Sequence, residues 1–86
     1  MTTGVYALTE AEALKWIAEL FEEPGRPLTP DIPRNALAAW DSLGVLTLIA
    51  ALDETFGIAV MDADIQRFTT VGDILEILRR NGKLAS

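Results

Sequence analysis

Two residue types are missing from this chain altogether: it has no cysteine and no histidine. Their absence excludes disulfide staples, thiolate nucleophiles, zinc sites built on Cys or His, and any Ser-His or Cys-His catalytic pair. Only carboxylates remain as metal ligands, and their spacing matches no calcium loop. No apolar run approaches the roughly 20 residues of a membrane span. The longest candidate, Val45 to Leu52, is short and interrupted by Thr47. Residues Met1 to Leu8 lack a basic cluster followed by an apolar stretch, so no signal peptide is expected and a cytoplasmic protein is the default. Positive charge is scarce as well. Between Arg34 and Arg67 there is no Lys or Arg, whereas Asp41, Asp53, Glu54, Asp62 and Asp64 all fall there. The net charge of −6 disfavours nucleic acid and anionic membrane and favours basic protein surfaces as partners.

What is present is a chain of 86 residues, half of them apolar, sufficient for one small core. A single domain is expected across residues 1–86, with the modest stability of a domain this size. Thr9 and Glu12 read as a capping box opening a helix over about 10–23, with Leu14, Ile17, Ala18 and Phe21 on one stripe and Pro24-Gly25 ending it. A long connection to Trp40 then holds all four prolines. Loops longer than about 12–15 residues are uncommon unless functional or disordered. Leu28, Ile32 and Leu37 could pin this one to the core as an ordered strap. Further helices are expected at about 41–55, with Gly57 as C-cap, at 63–66 after a capping Asp62, and at 71–80 after Thr70. The last carries the stripe Val71, Ile74, Leu75 and Leu78, and Arg79, Arg80 and Lys83 at its C-terminal end suit the helix dipole. No strand pattern of usable length stands out. The predicted class is all-α, a small four-helix bundle of three main helices plus one short one, with a long first loop.

The second helix has two apolar stripes. Val45, Leu48, Ile49, Leu52 and Phe56 follow core spacing. Leu43, Leu46 and Ala50 make another, with Leu46 about 200° around the helix from Leu48 at about 100° per residue. Two readings stand: the second stripe awaits a partner, or the long loop covers part of it.

Ser42 is one of only two serines, the other being the terminal Ser86. Taken alone, Asp41-Ser42-Leu43 is a weak motif, and either Asp41 or Ser42 could simply be an N-cap. Its context is more specific. The run Trp40-Asp41-Ser42-Leu43-Gly44-Val45-Leu46 opens the second helix after a long loop. It continues through Leu48 to Ile58, and Phe68 to Ile74 leads into the last helix. In these features the chain resembles the acyl carrier proteins from Thr9 to Leu78, the N-terminal third in helix pattern only.

The resemblance implies that Ser42 receives 4′-phosphopantetheine from coenzyme A through a separate phosphopantetheinyl transferase, which would supply the base and the magnesium. The arm's thiol would hold cargo as a thioester, so the chain would be a shuttle and not an enzyme, expected as a monomer. A phosphodiester at the start of a helix is physically apt, because free N–H groups and the dipole there favour an anion. Partners implied are the transferase, an acyl- or aminoacyl-loading ligase and downstream acyl-processing enzymes. Asp41, Leu43, Leu46, Ala50, Asp53, Glu54 and Trp40 are the candidate contact residues. The pattern departs from the family in three places. Trp40 stands where a small residue is common, and either anchors the loop or shapes recognition beside the arm. Gly44 and Thr47 stand where fatty-acid carriers often have acids, and Gly44 costs up to about 1 kcal/mol of helix propensity relative to Ala. Three functions compete: an acyl carrier, an aminoacyl or other specialised carrier, and an unmodified adaptor. For a carrier, the resemblance further implies that cargo could shelter among Ile58, Val60, Ile65, Phe68 and the core stripe of the second helix.

Overall fold

A computed structural model describes residues 7–85. Residues 1–6, over which most of the signal-peptide expectation was read, lie outside the described residues, as does Ser86. The element order is β1 (Leu8–Thr9), α1 (Glu10–Leu20), a 3-10 turn (Arg34–Ala36), α2 (Ser42–Phe56), α3 (Asp62–Gln66), α4 (Val71–Arg80) and β2 (Leu84–Ala85).

Helix α1 opens as its sequence demands. The Thr9 hydroxyl accepts from Glu12 N at 3.1 Å while the Glu12 carboxylate accepts from Thr9 N at 3.0 Å. It ends at Leu20 rather than at Glu23. Glu22 turns left-handed at φ 62°, and Glu23 N donates to Ala18 O at 2.7 Å, a helix-ending turn made without glycine. Pro24 already biases Glu23 away from helical geometry. Helix α2 closes on Gly57 at φ 68°, with Ile58 N donating to Leu52 O at 3.1 Å. Asp62 is the first residue of α3 and not its cap; Asp64 instead accepts from Met61 N at 3.3 Å.

The proline-rich connection is an ordered strap. Leu28 and Leu37 are buried in the core and Ile32 is half-buried against it. Backbone bonds stitch the strap to the start of α4. Val71 N donates to Ile32 O at 3.0 Å, Gly72 N to Pro30 O at 2.7 Å, and Arg34 N to Thr69 O at 2.8 Å. Two otherwise orphaned donors of the first turn of α4 are thereby satisfied by loop carbonyls. The Asp73 carboxylate completes the junction, accepting from Thr69 N at 2.7 Å and Thr70 N at 3.1 Å. Burial raises its pKa, but these bonds and one from the Thr69 hydroxyl outweigh that and hold it below the usual value.

One feature lies beside the helical bundle: β1 and β2 pair in parallel, Leu8 opposite Leu84. Each is only two residues long, below anything periodicity could reveal. The pairing joins the two ends of the described chain and covers the core with Leu84.

The core gathers Ile17 and Phe21 of α1, Val45, Leu48 and Leu52 of α2, Ile65 of α3, and Val71, Ile74, Leu75 and Leu78 of α4. Trp16 meets Phe56 edge to face, with centroids 5.1 Å apart, binding α1 to the far end of α2. Among the described residues no helix is long and apolar enough to cross a membrane.

Candidate carrier site at the start of the second helix

The strap delivers its last residues, Ala38 to Asp41, to the N-terminus of α2. Asp41 is the cap. Its backbone is extended and its carboxylate accepts from Gly44 N at 3.0 Å. Ser42 is therefore released from capping and becomes the first helical residue, with an exposed side chain. Asp41 uses one of the orphan donors of this turn, and Val45 N donates to Asp41 O at 2.9 Å. The N–H groups of Ser42 and Leu43 lack an intrahelical partner by helix geometry. An exposed hydroxyl beside open N–H groups at the positive end of a 15-residue helix can carry an anionic phosphodiester.

The two stripes of α2 separate as their spacing requires. Leu48 is fully buried, whereas Leu43 is 71% and Leu46 59% exposed. Ala50, Asp53 and Glu54 are exposed on the same side, so the face runs from apolar near Ser42 to acidic at its far end. The loop does not cover it. Thr47 on this face bonds back to Leu43 O at 3.0 Å.

Trp40 does not share that face. It is only 4% exposed and stacks on Phe21, with ring centroids 5.2 Å apart and planes 14° apart. Of its two sequence readings, the geometry favours the loop anchor, because a buried indole offers a docking protein almost no surface. Its Nε1–H has no hydrogen-bond partner among the described residues, and the Arg34 guanidinium lies over the ring at 5.6 Å.

Gly44 has a role that sequence reading missed. A Cβ there would fall 1.9 Å from the carbonyl oxygen of Ala39 and 3.5 Å from Phe21. Only glycine allows the strap to lie directly on the first turn of α2, and so to present Asp41 and Ser42 at the surface. The helix-propensity cost noted in the sequence is the cost of that close approach.

The residues named as a cargo shelter divide. Ile65, Leu48 and Leu52 are sealed in the core. Ile58, Val60 and Phe68 border an open groove of about 670 Å³ between the α2–α3 connection and α4, together with Arg67 and Arg80. Among the described residues no cluster of carboxylates could hold a metal ion.

The profile of the family described as "Phosphopantetheine attachment site" matches residues 14–78. That segment contains the whole of α2 and its cap. The chain belongs to the acyl carrier protein family. It is 35% identical over 69 residues to the acyl carrier proteins of Helicobacter pylori strains G27 and HPAG1, covering 80% of this chain and 87% of each relative. The acyl carrier protein of strain ATCC 700392 / 26695 is similar to the same extent. No solved structure matches the chain. Members of the family are carriers and not enzymes, and the prosthetic group is covalently attached 4′-phosphopantetheine. Family membership also implies partnership with a phosphopantetheinyl transferase and with acyl-processing enzymes.

Proposed function

We propose that this chain is a free-standing, cytoplasmic acyl carrier whose Ser42 bears the phosphopantetheine arm and whose exposed α2 face docks its enzymes. The observation that carries this reading is the exposed Ser42 hydroxyl at the first position of α2, freed by the Asp41 cap. In the loading reaction Ser42 Oγ would form the new bond to phosphorus as the pyrophosphate bond of coenzyme A breaks, the adenosine bisphosphate leaving and the hydroxyl proton passing to the base of the transferase. Asp41 holds the first turn in register, and the open N–H groups of Ser42 and Leu43 stabilise the resulting anion. When bound, the arm supplies a terminal thiol for thioester linkage. Leu43, Leu46 and Ala50 supply apolar contact beside the attachment point, with Asp53 and Glu54 further along. Apolar groups at an interface centre carry most of the binding energy, and rim charges chiefly speed encounter. These features fit a transferase and loading ligases with basic surfaces.

The lack of acids at Gly44 and Thr47 makes α2 less acidic than in fatty-acid carriers, which would favour the aminoacyl alternative. Gly44, however, has a steric reason that is independent of cargo. The test loads the modified protein in parallel with fatty-acyl synthetases and amino-acid-activating ligases and weighs the products. Acyl adducts released by hydroxylamine are expected. Adducts from aminoacyl ligases alone would transfer the chain to the other class.

A further inference from the structure

We propose that Arg34 is a positioning residue for the arm, its guanidinium facing the phosphodiester formed at Ser42 and balancing the charge there. The inference rests on Ser42 being the attachment point. Adding a phosphodiester anion at Ser42 places it beside the Asp41 carboxylate, in a chain of net charge −6. Like charges at this spacing repel, so a nearby cation has something to offset. From residue 27 to residue 66 the sequence offers one cation, Arg34.

The surroundings of Arg34 are those of a held but uncommitted cation. Arg26 pairs with Glu23 and Arg79 with Glu76, but no described carboxylate lies within ion-pair distance of Arg34. Its guanidinium sits 5.6 Å over the Trp40 ring, and its Nε donates to the Trp40 carbonyl at 3.5 Å. Trp40 precedes Ser42 by two residues, a span of at most about 7 Å. Of the five N–H donors of a guanidinium, one is thus engaged, leaving four for an incoming anion. The backbone of Arg34 is fixed as well, by its bond to Thr69 O at 2.8 Å and the adjoining Pro33–Thr70 bridge. The side chain is half-buried. An arginine already immobilised loses little further entropy on pairing, and its planar fork suits phosphate.

The test is a thermodynamic cycle on the full chain: unmodified and phosphopantetheinylated protein, each with Arg34 or Arg34→Gln, unfolded in urea. Intact mass first establishes that both proteins carry the arm; a folded wild type without added mass would remove the Ser42 reading itself. If Arg34 pairs with the phosphodiester, modification favours folding more in the wild type than in Arg34→Gln. The expected difference is about two- to five-fold in the folding constant, the range of exposed ion pairs. It should vanish between about 10 mM and 1 M salt, as the Debye length falls from about 30 to 3 Å. Arg34→Lys should keep most of the coupling. The Nε–Hε resonance of wild-type Arg34 should also move on modification, a readout that needs no variant. A purely structural Arg34, anchoring Trp40, would destabilise both forms equally and leave that resonance in place. Additive effects, or a coupling indifferent to salt, would overturn the proposal.

Discussion

Replacing Gly44 by Ala sets two physical effects against each other, and the structure decides which wins. Helix propensity alone predicts a gain of up to about 1 kcal/mol, because glycine is the worst ordinary helix former. The added methyl, however, would sit 1.9 Å from the Ala39 carbonyl oxygen, where ordinary contact begins at 3.4 Å. The obstructing atom is backbone and cannot rotate away. Its neighbour Trp40 is locked on Phe21 and donates from N to Leu37 O at 3.0 Å. Relief therefore requires the strap to lift off α2, and overpacking of this kind costs about 1–3 kcal/mol or more. The net loss of roughly 1–2 kcal/mol is a large part of a stability of only about 5–10 kcal/mol. For a domain of this size it should lower Tm by roughly 5–15 °C. Thermal denaturation followed by circular dichroism measures it, and transferase kinetics should fall too because Asp41 and Ser42 move with the strap. A Gly44→Ala protein as stable as wild type, or more so, would refute the close approach of strap and helix.

The two stripes of α2 should separate by mutation. Leu48→Ala should cost about 2–5 kcal/mol, whereas Leu46→Ala should stay within about 1 kcal/mol yet slow loading; equal destabilisation would place both sides of α2 in the core. Glu22→Gly should raise Tm by a few degrees, since it relieves a left-handed non-glycine residue of about 1–2 kcal/mol strain against a smaller entropy cost; an unchanged or lower Tm would count against that turn. Asp73 has a folded-state pKa below its ordinary value of 3.8, so its contribution is present above that pH and is lost as pH falls through the folded value. Asp73→Asn should therefore be less stable than wild type at neutral pH, and the difference should shrink in acid; denaturant titrations from pH 7 to pH 2 would reveal a constant gap if the reasoning fails.

The sequence carried the helices and both faces of α2 because regular periodicity is a local signal, and Leu46 and Leu48 differ in angle whatever surrounds them. The Ser42 position was legible for a similar reason, since the capping Asp41, the serine and the apolar run lie within one turn. What stayed hidden depends on distant segments. Gly44 looks like a weak spot until the Ala39 carbonyl is laid against it by a strap whose path no periodicity encodes. Trp40 could anchor or recognise, and only its burial on Phe21 separates the two. The β1–β2 pairing joins dipeptides from opposite ends of the chain, too short to show alternation. The early end of α1 turns on Glu22 adopting a conformation usually left to glycine.

The most direct test of the account is intact-mass analysis after incubation with coenzyme A and a broad-specificity phosphopantetheinyl transferase. Wild type should gain a single phosphopantetheinyl group and Ser42→Ala none, with both proteins equally helical. Modification that persists in Ser42→Ala, or a folded wild type that stays unmodified, would contradict the assignment of Ser42 as the carrier serine.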